Sequence, residues 1–138
     1  MRELNDMVRE VCNDVLSEYE YDFPDLITAF NAGLRMGFCM SDKEKKSKGR
    51  LIFGECQKVP EEWQGFAPYD FIITFYEPNI VGMNDEQLHI LAYHELMHAG
   101  AQVEESGDIK TWIRPHDQED FNAVLAKFGA NWARYWSI

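Results

Sequence analysis

Residues 88–101 constrain this chain more than any other stretch, because they place two histidines one helical turn apart. Within them His94, Glu95 and His98 fit the pattern H-E-x-x-H. The flanking Leu, Ala and Met residues favour a helix, no proline interrupts it, and Gly100 stands where a helix could end. Residues at i and i+4 lie on one face of a helix, so both imidazoles can reach a single ion.

The residue types on this face have the chemistry of a catalytic zinc site. Neutral imidazole nitrogens bind Zn²⁺, and catalytic sites typically combine three protein ligands with one open position for water. His94 and His98 supply two of these ligands. Glu95, adjacent to the first ligand, is predicted to act as the general base that takes a proton from water, and not as a ligand.

The third ligand must come from elsewhere in the chain. His89 lies five residues before His94, off the metal-facing side of the helix, and is interpreted as a surface side chain. His116 is the preferred ligand, and Asp117 and Glu119 are the alternatives, because an acid downstream of the motif fills this position in thermolysin-like enzymes. Asp117 could instead orient a ligating imidazole or cap the following helix.

Length and charge narrow the class of protein. A chain of 138 residues is expected to be a single domain over residues 1–138. Its net charge of −11 opposes binding to nucleic acid, whose affinity for proteins comes from Lys and Arg. No apolar run is long enough for a signal peptide or a membrane span, which favours a cytoplasmic protein. The three cysteines, Cys12, Cys39 and Cys56, form no metal-binding pair and are expected to be small buried hydrophobic residues.

Hydrophobic periodicity predicts an α+β fold in which about three strands pack against a central metal-binding helix flanked by N- and C-terminal helices. The predicted helices cover residues 3–19, a segment that starts at Asn84 or Asp85 and carries the metal motif, and residues 117–128. The predicted strands cover residues 26–40, 51–59 and 70–76, and a helical turn opens at Pro60. A helix is the alternative for residues 26–40, because Ile27, Phe30, Leu34 and Phe38 recur at helical spacing. The strand at 70–76 is expected to be an exposed edge that could hold an extended peptide.

The remaining segments are predicted to be irregular or peripheral. Residues 41–50 hold five of the 13 basic residues and are interpreted as a solvated hairpin tip, with a docking patch for an acidic partner as the alternative. Residues 102–110 are predicted to form a surface loop. An aromatic tail is expected to pack on the core; it comprises Trp132, Tyr135 and Trp136. Arg114 or Tyr93 could stabilise an oxyanion, although a structural role is the simpler interpretation of each.

Four segments of the chain resemble the phage metallopeptidases, a family of small zincin-like domains found in bacteriophage and prophage genomes. They are FGECQKV at 53–59, YDFII at 69–73, HELMH at 94–98 and PHDQEDF at 115–121. The resemblance implies zinc held by His94, His98 and His116, a catalytic Glu95, and a phage or prophage protein in the cytoplasm of a bacterial host. The basic segment and the aromatic tail are outside the matching pattern.

The expected function is therefore zinc-dependent hydrolysis of peptide bonds in a peptide or protein substrate, with metal-activated water as the nucleophile. A non-catalytic rival is a regulator that binds a phage or host protein and uses zinc only to stabilise its fold. A second enzymatic rival is a metal-dependent endoribonuclease, which also spaces two histidines four apart. That family has a glycine after the first histidine and a third histidine six residues after the second, where this chain has Glu95 and Glu104.

Overall fold

The structure is a computed structural model that describes residues 1–115. The predicted helix at 117–128, the aromatic tail and the candidate ligands His116, Asp117 and Glu119 lie outside the described residues. Within them the elements are, in chain order, β1 (Arg2–Leu4), α1 (Asp6–Glu18), α2 (Pro24–Asn31), β2 (Met36–Ser41), β3 (Lys46–Ser47), β4 (Arg50–Leu51), β5 (Gly54–Lys58), β6 (Phe71–Tyr76), α3 (Glu77–Ile80), α4 (Asp85–Met97), β7 (Ala99–Val103) and β8 (Ile109–Ile113). This composition confirms the α+β class.

The main sheet has four strands in the order β1-β2-β6-β5 among the described residues, where about three were predicted. Strands β2 and β6 run parallel, whereas β1 and β5 are antiparallel to their neighbours. Alternate residues of β6, Phe71, Ile73 and Phe75, are fully buried and belong to the same core as the inner faces of α1 and α4. The prediction that 70–76 is an edge strand is therefore wrong, because β6 is paired on both sides and β5 forms the edge.

The predicted N-terminal helix is confirmed for most of its length. Helix α1 begins at Asp6 because the Asn5 side chain accepts a hydrogen bond from Val8 N at 3.0 Å, which satisfies a free N–H of the first turn. Residues 3 and 4, which sequence periodicity assigned to the helix, instead belong to β1. Buried Val8, Cys12 and Val15 hold α1 against the core.

The long strand predicted at 26–40 is wrong in its first half. Pro24 occupies the first turn of α2, where its missing N–H costs no hydrogen bond. Gly33 then adopts a φ of +110°, which ends the helix and redirects the chain into β2. Two short elements separated by this glycine therefore occupy the segment.

Helix α4 confirms the predicted motif helix. Asn84 caps it, since its side chain accepts from Gln87 N at 2.9 Å while the Gln87 side chain accepts from Asn84 N at the same distance. The helix is buried on most sides and packs against α1, β5 and β7. Among residues 1–115 no helix is long and apolar enough to cross a membrane.

The predicted loop at 102–110 is confirmed for residues 104–108, which are exposed, and is wrong at both ends, where β7 and β8 form a hairpin. Gly107 lies in its turn at a φ of +90°. Gly100 does not end α4; it lies in β7 opposite Trp112. An added Cβ at Gly100 would come within 2.3 Å of Trp112 Nε1, so the indole packs directly on the glycine backbone. The low β-propensity of Ala99, Gly100 and Ala101 is overcome by pairing and packing.

A second hairpin confirms the interpretation of residues 41–50. Strands β3 and β4 pair across Lys48 and Gly49, both of which have positive φ, the geometry of a tight two-residue hairpin turn. The Asn79 side chain fastens the base of this hairpin through Nδ2, which donates to Lys45 O at 2.9 Å and to Ile52 O at 2.7 Å. The strand predicted at 51–59 is broken after Leu51 and resumes as β5, and the turn after Pro60 is a 3₁₀ turn at Glu61–Trp63.

Candidate metal centre

The end of α4 brings together the three residues of the sequence motif. Ligand atoms of His94, Glu95 and His98 all lie within 4.8 Å of one another. The two imidazole rings are 5.2 Å apart between centroids, with an angle of 74° between their planes. His98 is the C-cap residue of the helix, so the second imidazole projects from the last turn. Two nitrogen ligands and one carboxylate are thus arranged as a group that could hold a metal ion.

The His98 ring is oriented by a backbone carbonyl that directly follows the β7–β8 hairpin. Its Nδ1 donates to Arg114 O at 2.7 Å, and Arg114 N donates to His98 O at 2.7 Å. A carbonyl oxygen can only accept, so Nδ1 carries a proton, and in the neutral ring Nε2 is then the nitrogen with the lone pair. In metal-binding histidines, a hydrogen bond from the ring nitrogen that does not bind the metal fixes the tautomer and the direction of the ring. The bond from Nδ1 to Arg114 O is of this kind.

Glu95 is buried in the protein interior, and its carboxylate lies beside the His94 imidazole. Its residue is 4% exposed, and its Oε2 is 3.9 Å from His94 Nε2. Strand β5 passes close above it at Gly54, where an added Cβ would lie 3.4 Å from Glu95 Cγ and 3.2 Å from Thr74 O. Glycine at position 54 therefore suits the close packing of β5 on β6 at Thr74, beside Glu95.

An open groove of about 420 Å³ runs past the motif. Glu95 and His98 line one side, β5 lines another, and Ile113 and the β3–β4 hairpin, here called the basic hairpin (residues 43–50), complete its walls. Tyr76 N donates to Phe53 O and Val59 N donates to Asp70 O, so residues 53, 55, 57 and 59 turn their backbone groups toward β6. By the alternation of antiparallel pairing, the N–H and C=O groups of Gly54 and Cys56 point away from β6, to the outer edge of the sheet.

Two thiols lie near Glu95. Burial raises the pKa of Cys12 and Cys56, and the negative charge of Glu95 raises both further. Because the thiolate is the form that ligates metals and attacks electrophiles, both side chains are poor ligands and poor nucleophiles at neutral pH. Cys12 and Cys39 are buried and Cys56 is half-buried, which agrees with the expectation of small apolar side chains.

The structure places the other sequence candidates in structural positions. Tyr93 is fully buried, its hydroxyl donates to Asp22 Oδ2 at 2.8 Å, and burial raises its pKa. His89 Nδ1 donates to Asp85 O at 2.6 Å. Neither Tyr93 nor His89 lines the groove beside Glu95 and His98. Arg114 Nη1 contacts Met97 Sδ at 3.7 Å, and its backbone carbonyl accepts the hydrogen bond from His98.

Sequence reasoning missed three parts of this centre, namely the Arg114 carbonyl, the outward-facing edge at Gly54 and Cys56, and the Asn79 anchor of the groove wall. Only Gly54 carried a signal, since an isolated glycine inside a strand pattern indicates a close backbone approach. Backbone carbonyls and strand order depend on tertiary pairing, which one sequence does not display.

Comparison with known proteins gives one match. Searches of curated proteins and of solved structures found none. A protein-family model described as "putative phage metallopeptidase" matches residues 2–137, which is nearly the whole chain. This match confirms the resemblance drawn from the four sequence segments, and the chain therefore belongs to the phage metallopeptidase family.

Proposed function

We propose that this protein is a zinc-dependent metallopeptidase formed by one zincin-like domain over residues 1–138. The observation that carries the proposal is the convergence of His94, Glu95 and His98 within 4.8 Å. Glu95 and His98 line a groove bordered by β5, the edge strand of the sheet formed by residues 1–115. The family match supports a hydrolase of phage origin that acts on peptides or proteins. We place its action in the cytoplasm of the bacterial host, with no role for nucleic acid.

The residues present suit zinc. Imidazole nitrogen is a preferred ligand of Zn²⁺, whereas Mg²⁺ and Ca²⁺ favour sites built from oxygen alone. His94 and His98 would hold the ion together with His116. The hydrogen bond from Nδ1 to Arg114 O makes Nε2 the nitrogen with which a neutral His98 ring would bind the ion, and it fixes the chain two residues before His116. Zinc held there would act as a Lewis acid toward water and toward the carbonyl of the scissile bond.

Glu95 would carry the proton transfer. Its carboxylate would accept a proton from the attacking water and deliver it to the nitrogen of the departing amine, so no acyl-enzyme is needed. Its buried position beside His94 keeps it close to the reacting atoms and excludes bulk water from one side. Removing a general base of this kind typically reduces the rate by about 10²- to 10⁴-fold.

The substrate would bind along β5. An extended peptide can pair with the outward N–H and C=O groups of Gly54 and Cys56 as an added strand, which brings its backbone across the groove beside Glu95. This assignment replaces residues 70–76, whose backbone groups are already used on both sides within the sheet.

Metal analysis and peptide hydrolysis by matched variants test the proposal. Glu95→Gln should keep zinc and lose at least about 100-fold in kcat/KM on an internally quenched peptide mixture. His94→Ala and His116→Ala should lose or weaken zinc binding. His89→Ala is the control, since this histidine shares the helix but not the centre, and it should keep both zinc and activity. Hydrolysis by Glu95→Gln at the wild-type rate would refute the assignment of the base.

A further inference from the structure

The basic hairpin, residues 43–50, is positively charged, whereas the rest of the chain is strongly negative. It holds five of the 13 basic residues and only one of the 24 acidic ones, which leaves eight basic against 23 acidic residues elsewhere. A concentrated positive site on a protein of net charge −11 attracts anions that the remaining surface repels.

This hairpin is a built element of the groove. Its turn has the positive φ values of a tight hairpin at Lys48 and Gly49, and Asn79 fastens its base to α3 by two hydrogen bonds. Lys45, Ser47 and Ile52 line the same groove as Glu95 and His98. Charges on the hairpin are therefore held at a defined place relative to the metal centre.

The cations of the hairpin divide into two groups. Lys45 is engaged by Glu55, and its ammonium also lies 5.5 Å from the centroid of the Tyr76 ring. Lys46 lies 3.3 Å from Glu44. Lys43, Lys48 and Arg50 are exposed, and within residues 1–115 no carboxylate lies in ion-pair distance of their charged groups. Lys48 and Arg50, at and beside the tip, are thus available to a ligand. Lys43, two residues before the hairpin base at Lys45, adds a third exposed cation.

From this arrangement we infer that the basic hairpin is a docking site for an acidic segment of the peptide substrate. The inference rests on the proposed function, because it names the substrate class of that groove. The tip lies roughly 10 Å beyond the hairpin base, or about three residues of extended chain, at about 3.3 Å per residue. Acidic residues about three or more positions from the scissile bond would meet Lys48 and Arg50 while the intervening residues cross the groove.

A short peptide fits these charges better than nucleic acid does. Tight binding to a phosphate backbone requires many cations along an extended track, and its affinity scales with the number of phosphates neutralised. The hairpin offers three available cations, and the acidic remainder of the chain would repel the continuing backbone. A cluster of two or three carboxylates matches the hairpin without extending beyond it.

The first test measures binding, so that it does not depend on turnover. A fluorescein-labelled peptide in which Asp and Glu alternate with Gly is titrated with wild-type protein, and anisotropy is recorded at about 0.05 M and 0.5 M NaCl. The tip variant, Lys48→Asn with Arg50→Gln, should bind about fivefold more weakly at low salt. Asn tolerates the positive φ at position 48, so the turn is kept. The difference should vanish at high salt.

The control variant removes two exposed cations elsewhere, Arg9 and Lys110, as Arg9→Gln with Lys110→Gln. It should bind the acidic peptide like wild type. Equal weakening by the control and tip variants would show a general charge effect and would overturn the docking site. A single-stranded DNA oligonucleotide of the same length that binds the hairpin more tightly than the peptide would overturn the substrate class.

The second test measures hydrolysis of internally quenched peptides with identical cores and either Asp/Glu or Asn/Gln flanks. Wild type should prefer the acidic flanks, and the ratio of kcat/KM values should fall about fivefold in the tip variant. Hydrolysis without any flank preference would refute the docking site and keep the peptidase. Hairpin-dependent binding without hydrolysis of any peptide would refute the substrate assignment and, with it, the proposed function.

Discussion

Asn79 gives the sharpest test of how the groove wall is held. Its residue is 7% exposed, and its Nδ2 donates to two backbone carbonyls at opposite sides of the hairpin base, Lys45 O at 2.9 Å and Ile52 O at 2.7 Å. Asn79→Ala removes both donors without introducing a new group. The variant should therefore fold with a loosened basic hairpin.

The expected loss of stability in Asn79→Ala depends on which hydrogen bonds the two carbonyl oxygens retain. Lys45 O retains a hydrogen bond from Ile52 N at 3.0 Å, so its loss is about 1 kcal/mol. Ile52 O loses its donor from Asn79 and, if left buried, costs about 1 to 3 kcal/mol. Removal of Asn79 Oδ1, a buried oxygen that bonds to no described residue, returns about 1 kcal/mol. We expect a net loss near 2 kcal/mol, or roughly 6 °C in Tm.

Asn79→Asp is the matched variant, with the same shape but no donor when ionised. Its carboxylate would face two carbonyl oxygens, so the protonated form is favoured and the pKa of the new carboxyl in the folded state lies above its unfolded value near 3.9. A group with a raised folded pKa stabilises the fold fully below the unfolded pKa and loses that contribution as pH rises through the folded pKa. The stability gap between this variant and wild type should therefore be wider at pH 8 than at about pH 4.5.

Urea unfolding of wild type and both variants, followed by circular dichroism at the two pH values, measures these differences. At pH 8 the Asp variant should be less stable than the Ala variant. The reasoning fails if the Asp variant is the more stable of the two at pH 8, or if its gap to wild type is the same at both pH values. Either result would mean that Nδ2 does not hold the hairpin base.

Two further predictions concern packing and the thiols. Gly100→Ala should lower the free energy of unfolding by about 1 to 3 kcal/mol, because the new methyl group forces the Trp112 indole away. Gly65→Ala is the control: an added Cβ there meets no atom within 4 Å, so stability should be nearly unchanged. Thermal unfolding measures both variants, and equal effects would contradict the contact between Gly100 and Trp112. Because burial raises the pKa of all three cysteine thiols, iodoacetamide at pH 8 should alkylate the native protein far more slowly than the urea-unfolded protein, with a native rate that rises with pH. Mass spectrometry reads the sites, and rapid native labelling of Cys56 would contradict the raised pKa of its thiol.

Local patterns predicted the parts of this protein that local forces decide. The cap at Asn84, the apolar residues around α4 and the four-residue histidine spacing each act within one helix, so the arrangement of His94, Glu95 and His98 could be anticipated. The same holds for the tight basic hairpin, whose turn at Lys48 and Gly49 depends on adjacent residues.

Elements that depend on distant partners were predicted less well. Strand β7 begins with Ala99, Gly100 and Ala101, which have little intrinsic strand preference, and it forms because β8 pairs with it and α2 packs on it. The position of β6 inside the sheet depends on its pairing with β2 and β5, whereas its own composition suits an edge or an interior strand equally. The third ligand, His116, stays a prediction.

The reciprocal hydrogen bonds between His98 and Arg114 tie the end of α4 to the end of β8 across sixteen residues. Any ligand that prefers His98 in this orientation must stabilise the intervening hairpin, and by thermodynamic reciprocity the hairpin must strengthen that ligand's binding by the same free energy. Substitutions in β7 or β8 that touch no ligand can therefore change affinity at the imidazoles. Amide hydrogen exchange in the β7–β8 hairpin would therefore report whether a ligand occupies the imidazoles, although no side chain of β7 or β8 is one of its candidate ligands.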